Sequence, residues 1–197
     1  MTRFALASAP ASEPVSLNEA KAHARIEHDF EDDLISAMIA RARMVVEKDT
    51  QRSLITQTWT ATLDRWPVEP SNEDAEGWPF VSSPTTRRIE LANGPVASIT
   101  SLVVDGETIA SGNYALRGNE LWVASGVADS GAELGGGIVI TYVAGAAAAP
   151  EDLKQAVLMT VAHLYAVRET TSPQGIYHQV APFGYDTLVA PYRTLKI

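Results

Sequence analysis

The chain has 197 residues, a formal net charge of −9, 46% hydrophobic residues and no cysteine, a composition typical of one or two globular domains. The missing cysteine excludes disulfide scaffolds, thiolate nucleophiles and cysteine-ligated metal centres, and the acidic balance argues against a duplex DNA binder. No apolar run approaches the roughly 20 residues of a membrane span, and the apolar N-terminal stretch is too short for a signal peptide, so we expect a cytosolic protein without membrane contact.

Residues 1–55 are predicted to form the N-terminal helices of a bundle. Ser16 and Glu19 have the spacing of a capping box, which predicts a helix from about Leu17 to Arg25. A longer helix follows, with Asp29 as its expected cap and acidic residues in its first turn. Apolar residues then recur at three- and four-residue spacing and form a stripe for helix packing: Leu34, Ile35, Met38, Ile39, Ala42, Val45 and Val46. Arg41, Arg43 and Lys48 fall outside this stripe.

Residues 56–149 are predicted to form an inserted antiparallel β-domain. Trp59, Ala61 and Leu63 alternate with threonines, which indicates a half-buried strand. A long exposed loop is expected over 69–84. Short strands separated by turn signals follow, with Asp105-Gly106 as a hairpin turn; they cover 88–91, 99–104, 114–116, 120–123 and 138–143.

Residues 150–169 are predicted to form the C-terminal helix of the bundle. Pro150 suits a helix start, and Leu153, Val157 and Val161 begin an apolar face that matches the stripe of the second helix. The two ends of the chain would therefore meet. Residues 170–197 show no sustained period and are predicted to form an extended C-terminal tail, with one or two helical turns over 183–190. The expected fold class is α+β.

The negative charge is concentrated in the middle of the chain. Residues 1–51 carry 6 basic and 9 acidic side chains, residues 52–149 carry 5 and 11, and residues 150–197 carry 4 and 4. Six of the nine net charges therefore belong to residues 52–149, which include the predicted β-domain, while the C-terminal region is neutral.

The residues suited to chemistry lack the spacing that catalysis or metal binding needs. His23, His28, His163 and His178 form no HxxxH or HExxH pattern. Asp32 and Asp33 are explained by the helix dipole, and the glycines at 135–137 precede no phosphate-binding helix. The sequence therefore predicts no catalytic residue, no metal and no cofactor.

The four tryptophans leave a carbohydrate-binding β-module open as an alternative. Trp59 and Trp122 lie in strand patterns and are expected in the core. Trp66 and Trp78 flank the acidic loop and are freer to contact a ligand.

A series of short motifs is spread in order over nearly the whole chain. They are Pro14-Val15-Ser16-Leu17-Asn18-Glu19-Ala20-Lys21 with Arg25-Ile26, Asp29 to Ile35, Arg52 to Trp59, Pro150 to Leu153 with Gln155-Ala156-Val157, His163-Leu164-Tyr165 with Arg168-Glu169, and Leu188 to Arg193. In order and spacing they resemble the head-to-tail connector (adaptor) proteins of tailed bacteriophages and phage-like gene transfer agents.

This resemblance implies a structural adaptor rather than an enzyme. Such proteins form a ring, commonly dodecameric, between the portal and the next neck or tail protein, and DNA passes through the channel in transit. The expected location is the neck of a virion or phage-like particle assembled in the bacterial cytoplasm. A tail terminator or stopper is the nearest alternative. Portal docking is expected from the C-terminal tail, with Phe183, Tyr185, Tyr192, Arg193, Leu195, Lys196 and Ile197 as contact residues.

Overall fold

The computed structural model describes residues 2–67, 86–124, 127, 137–167 and 183–193, and the predicted loop over 69–84 lies outside them. The chain divides into two compact units: a β-unit of Met1–Ala9 and Gln57–Ala144, and a helical unit of Pro10–Thr56 and Gly145–Ile197. The first residues thus group with the β-unit, whereas the sequence analysis assigns them to the helices.

Helices and strands occur in separate runs along the chain, as expected for an α+β fold. The elements are β1 Thr2–Ser8, α1 Leu17–Ala24, α2 Asp32–Thr50, β2 Gln57–Leu63, β3 Thr86–Glu90, β4 Val96–Val104, β5 Glu107–Thr108, β6 Tyr114–Arg117, β7 Glu120–Ala124, β8 Ile138–Ala144, α3 Glu151–Ala166 and α4 Phe183–Val189. Short 3-10 turns cover Ser111–Asn113 and Ala190–Tyr192.

The predicted start of α1 is confirmed in detail. The backbone N–H of Glu19 donates to the Ser16 hydroxyl at 3.2 Å, and the Ser16 backbone N–H donates to the Glu19 carboxylate at 2.7 Å. These bonds are the two halves of a capping box. They hold the pKa of Glu19 below its usual value, because the bonded carboxylate prefers to be charged.

The start of α2 differs from the prediction. Helix α2 begins at Asp32 with Glu31 at the cap position, and no side chain caps it. Asp29 is not the cap because its carboxylate pairs with the ammonium group of Lys21, which also bonds Asp32 at 2.8 Å. This pairing, mainly the hydrogen bond from Lys21, lowers the pKa of Asp29.

The core of the helical unit lies where α2 and α3 face each other, as predicted. Ile35, Ile39, Ala42 and Val46 of α2 pack in one buried cluster with apolar residues of α3. The members from α3 are Leu153, Ala156, Val157 and Val161. Leu34 and Val45, predicted for the same stripe, are instead exposed.

An ion-pair network is buried beside this core. Arg43 is 5% exposed, and its guanidinium donates to the carboxylates of Glu13 and Glu47, each at 2.8 Å. The second oxygen of Glu47 accepts the backbone N–H of Leu54 at 2.9 Å. Arg43 was expected on the outer face of α2, but these two carboxylates satisfy its donors and permit its burial.

The β-unit contains two antiparallel sheets that share one core. The five-stranded sheet has the order β1-β2-β8-β4-β5, and the three-stranded sheet has the order β3-β7-β6. Alternate residues of β2, β4 and β8 pack against those of β3 and β7, as in a sandwich. The most buried of its larger side chains are Leu102, Leu121, Val123, Ile138, Ile140 and Tyr142.

Two tight turns connect strands of the β-unit, and the first of them is the predicted hairpin turn. Asp105 and Gly106 link β4 to β5 with φ values of 51° and 86°, which are the positive angles of a two-residue hairpin turn. Gly118 and Asn119 link β6 to β7, and the Asn119 side chain accepts the backbone N–H of Val96 at 3.0 Å.

Strand β1 is an element that the sequence analysis did not predict. It pairs antiparallel with β2, from Thr2 opposite Leu63 to Ser8 opposite Thr58. All seven of its residues are exposed. It is therefore held mainly by the backbone hydrogen bonds of one neighbouring strand.

Gly145 lies at the return of the chain into the helical unit. Its φ is +101°, and a Cβ at this position would collide with the backbone carbonyl of Ile55. Beside it, Ile55 and Ala146 form a parallel β-bridge. The Thr56 N–H also donates to the Ala146 carbonyl at 3.1 Å, so the outgoing and returning segments lie side by side.

Candidate interaction surfaces

The C-terminal segment Phe183–Arg193 is folded against the helical unit. Tyr185 and Val189 of α4 are buried in the same core cluster as α2 and α3. The predicted helical turns over 183–190 are thus confirmed. The extended conformation predicted for the tail does not hold in this segment, because its apolar side chains find a place in the core.

Ion pairs fasten the end of this segment to α2. Arg193 donates to Asp49 through two nitrogens, Nε to Oδ1 at 3.0 Å and Nη2 to Oδ2 at 2.8 Å, and to Asp186 at 2.8 Å. These hydrogen bonds raise the pKa of Arg193. We refer to Arg193, Asp49 and Asp186 as the C-terminal clasp.

Tyr192 makes a second attachment next to the clasp. Its hydroxyl donates to Asp152 at 3.3 Å, and the guanidinium carbon of Arg52 lies 5.8 Å from the centroid of its ring. Tyr192 therefore contacts residues close to the start of α3 and just after α2.

The seven predicted docking residues fall into two groups. Tyr185, Tyr192 and Arg193 lie together against the helices, where Tyr185 contacts the core and Arg193 remains partly exposed. Phe183 begins α4, and its side chain lies outside the described part of the structure. Leu195, Lys196 and Ile197 also lie outside it.

A second surface consists of exposed apolar residues on and before α2. Phe30 is 82% exposed, and Leu34, Met44 and Val45 are also exposed. The Phe30 ring stacks on the His28 ring, with the centroids 3.8 Å apart and the planes 14° from parallel. Phe30 is thus held in place in the loop although water surrounds it.

Tyr165 of α3 and Glu31, at the cap position of α2, contact the Nε2 atom of the His28 ring. The Tyr165 hydroxyl of α3 donates to Glu31 at 2.6 Å and lies 3.3 Å from His28 Nε2. This arrangement joins the loop before α2 to α3, which is a structural role for a histidine that the sequence analysis considered as a metal ligand.

Most polar side chains that line a surface depression of the helical unit already make contacts that stabilise the fold. A surface depression of about 550 Å³ lies between the segment before α1 and the start of α3. Of its polar residues, Ser16 and Glu19 form the capping box, Glu13 bonds Arg43, and Lys154 pairs with Glu151. Within the described ranges, no three His, Asp or Glu side chains are grouped as a metal site would require.

The tryptophans do not form a stacking platform in the described structure. Trp66 is 6% exposed, so the expectation that it is free to contact a ligand was wrong. Trp59 packs against the core of the β-unit, as predicted. Trp122 was also expected in the core, but it is half-buried and lies under the Arg117 guanidinium, whose carbon is 4.7 Å from the ring centroid. Trp78 lies outside the described residues.

The chain matches one protein family and several solved structures. The model of the family "Head completion protein" matches residues 13–176. No curated protein matches the chain. None of the described helices has the length and apolar character of a membrane span.

The similar structures come from gene transfer agent (GTA) particles. A chain from the neck of an empty GTA particle, computed with C6 symmetry, is 22% identical with a TM-score of 0.72, over 99% of this chain and 97% of that one. A chain from a native GTA virion is 21% identical with a TM-score of 0.71, over 98% and 96%. A chain from a native GTA neck, computed with C12 symmetry, is 20% identical with a TM-score of 0.71, over 99% and 97%. These similarities establish a shared fold along the whole chain.

Proposed function

Since this chain belongs to the head completion protein family, we propose that it is a structural part of the neck of a phage-like particle. The observation that carries the proposal is the family match over residues 13–176. The full-length similarity to chains of GTA necks supports the same location. The work of the protein is then to hold neighbouring proteins together, without catalysis.

In this proposal the chain forms a ring around the path of the DNA. The C6 and C12 symmetries of the similar necks support a cyclic arrangement of copies. The net charge of −9 suits a channel wall, because repulsion between carboxylates and phosphates keeps the wall from gripping DNA that must move past. The ring adjoins the portal on one side and a further neck or tail protein on the other.

We assign portal docking to the C-terminal segment, with the clasp as its base. Tyr185 and Val189 are occupied in the core, so they anchor the segment to its own helices. Tyr192 and Arg193 lie at its surface end, and 194–197 follow directly. The docking contact is therefore expected from Tyr192 onward, with Leu195, Lys196 and Ile197 as the leading residues.

A truncation of the last four residues tests this assignment. Removing 183–197 would also remove buried side chains, so a failure of that variant to join particles would not separate docking from folding. Removing only 194–197 leaves α4 and the clasp in place. We expect a folded protein, with an unchanged unfolding midpoint, that no longer joins portal-containing heads to tails. Normal joining by the truncated chain would reject the docking role.

Electron microscopy of assembled particles tests the location itself. We expect density for this chain directly below the portal. Density at the end of a tail or below another ring would favour the tail terminator or stopper alternative. A monomer that binds saccharides and is missing from particles would favour the carbohydrate-binding alternative.

A further inference from the structure

One edge of the five-stranded sheet is an open strand. All seven residues of β1 are exposed, and no strand of the described ranges pairs with its outer side. The strand has no proline and only one charged side chain, Arg3. Globular proteins usually protect long edge strands by such devices or cover them. Strand β1 therefore has the properties of an edge that becomes covered on assembly.

The opposite edge of the same sheet is also open over most of its length. Strand β5 covers β4 only at Val103 and Val104, and the Ile109 N–H donates to the Leu102 carbonyl at 2.8 Å. Over the stretch from Val96 to Ser101, no strand of the described residues pairs with β4 on this side, and the Val96 N–H donates to the Asn119 side chain. The length of this stretch is close to that of β1.

The directions of the two open edges allow copies to join head to tail. Each neighbouring pair in the order β1-β2-β8-β4 is antiparallel, so β1 and β4 run in opposite directions. A second copy in the same orientation can therefore place its β4 antiparallel beside β1. Such a contact uses two different surfaces, and repeated by rotation it closes into a ring.

The side chains at the two edges fit the same pairing. Leu6 belongs to the cross-strand row of Trp59, Tyr142 and Ile99, so it faces the core side of the sheet. Phe4 lies on this side as well. Phe4 is 36% exposed and Leu6 is 44% exposed. On that side the open stretch of β4 carries half-buried apolar residues that would continue the layer across the junction.

The position of β5 determines the register. The row of Arg3 ends at Val103, which β5 already covers. Moving the incoming β1 strand by two rows keeps each side chain on its own face of the sheet and places Phe4 opposite Ile99, Ala5 opposite Ser98 and Leu6 opposite Val96. Strand β4 has two register irregularities in this stretch. Irregularities of this kind bend a strand, which suits a sheet that has to curve as it continues around a ring.

Opposite charges lie toward the same end of this junction. Arg3 lies at the end of β1 that would adjoin the β4–β5 hairpin of the second copy. That hairpin carries Asp105 and Glu107, both exposed. If β1 and β4 paired in parallel instead, Arg3 would lie at the other end of β4, away from these carboxylates.

We propose that β1 of one copy pairs antiparallel with Val96–Ser101 of the next copy, so that the five-stranded sheets join head to tail. This inference rests on the proposed ring and names its subunit contact. Pairing of β1 with β1 of another copy is the competing arrangement, and it would close at two copies.

Engineered cysteines test the contact without interference, because the chain has no cysteine of its own. In the variant with Ala5→Cys and Ser98→Cys, the two sites of one copy are separated by β2 and β8, or about 14 Å at the usual strand spacing. That exceeds the Cα separation of about 7 Å that a disulfide allows. Any disulfide therefore joins different copies. A second double variant, Ala5→Cys with Ser101→Cys, tests the alternative register in which β1 is not displaced along β4, because these two residues belong to the same cross-strand row.

The variants are oxidised in assembled particles, and denatured samples are separated without reductant. We expect a ladder of covalent multimers from at least one double variant, dimers at most from a mixture of the two single variants, and monomers from each single variant alone. Disulfide dimers of Ala5→Cys alone would overturn the proposal in favour of β1–β1 pairing. No ladder from either double variant, in particles whose micrographs show this chain in a ring, would overturn it while the proposed function stands. Particles without such a ring would reject both.

Discussion

Arg43 is a charged residue in the interior of the helical unit, and its neighbours explain how it is tolerated. Each of its carboxylate partners is within hydrogen-bonding distance, and Glu47 in turn fixes the backbone just after α2 through the Leu54 N–H. A buried pair of this kind adds little compared with apolar packing, but removing one partner leaves the other charge without compensation.

The variant Arg43→Met should therefore be markedly destabilised. We expect the free energy of unfolding of the helical unit to fall by about 3 kcal/mol, because Glu47 would remain buried without its cation. Arg41→Met is the matched control, since Arg41 is exposed two positions earlier, and it should change the value by less than about 0.5 kcal/mol. Urea titration followed by circular dichroism measures both; equal losses would contradict the structural role of Arg43.

Tyr185 gives the helical unit a sensitivity to alkaline pH. Burial, with a smaller contribution from the nearby carboxylate of Asp49, raises the pKa of its phenol to about 12. The folded state thus prefers the neutral phenol. Its contribution is complete below the unfolded pKa of about 10 and is lost as the pH rises from about 10 toward 12.

Comparison with Tyr185→Phe isolates this effect. Between about pH 9 and about pH 11.5, the natural chain should lose about 2 kcal/mol more stability of the helical unit than the phenylalanine variant. Other groups that titrate in this range are common to both proteins. Chemical denaturation at each pH gives the difference, and parallel losses would show that Tyr185 ionises as if exposed.

At the scale of elements, the C-terminal clasp decides how firmly α4 is attached. Its side chains are partly exposed, so salt screens them, whereas Tyr185 and Val189 hold α4 through apolar contacts. The helix should therefore remain docked when the clasp is broken, but open more often.

Hydrogen exchange of the Arg193→Ala variant measures that opening. We expect the amides of α4 to exchange several-fold faster than in the natural chain, while those of α2 and α3 are unchanged. Lys48→Ala, which removes an exposed cation next to Asp49, serves as the control and should leave all three helices as they are. Uniform acceleration across α2, α3 and α4 would indicate global destabilisation instead.

Local signals explain which elements the sequence alone could predict. The capping box of Ser16 and Glu19 and the turn at Asp105 and Gly106 are formed by neighbours in the chain, so their residue types suffice. Strand β1 depends on pairing with β2, more than fifty residues later, and nothing in its own composition requires that partner. Arg43 was missed for the same kind of reason, because Glu13 reaches it from outside α2.

The candidate surfaces were less predictable than the fold. Tyr192 and Arg193 were named as docking candidates because aromatic and arginine side chains in a neutral tail are typical of contacts, and their docking role stays a prediction. Their attachment to Asp152 and Asp49 follows only from the packing of α4 against the helices. Phe30 gave no such signal, since an isolated apolar residue in a polar stretch is common on surfaces.

At the scale of the whole molecule, the helical unit is assembled from both ends of the chain. The outgoing segment at Ile55 and Thr56 and the returning segment at Ala146 are hydrogen-bonded neighbours. Its core cluster consists of residues from the helices and adjoining segments of this unit. The unit therefore has both a core of its own and chain ends close enough to be connected.

We expect the helical unit to fold after the β-unit is removed. A chain of residues 10–56 and 145–197, joined by a flexible linker of about five residues to span the short return, should give a helical circular dichroism spectrum and a cooperative thermal transition. Adding Gly145→Ala to this chain should lower the transition, because the backbone angle and the Ile55 carbonyl both exclude a Cβ. A shortened chain without any cooperative transition would show that the units depend on each other for stability.

Before assembly, each free copy exposes the hydrogen-bonding groups of β1 to every other copy in solution. An adhesive strand of this kind limits the concentration at which a protein remains dispersed. The net charge of −9 opposes such encounters, and dissolved salt weakens that opposition over about 10 Å. Colloidal stability and the capacity to join neighbours are thus balanced against each other in one molecule, and the ionic strength of the medium shifts the balance.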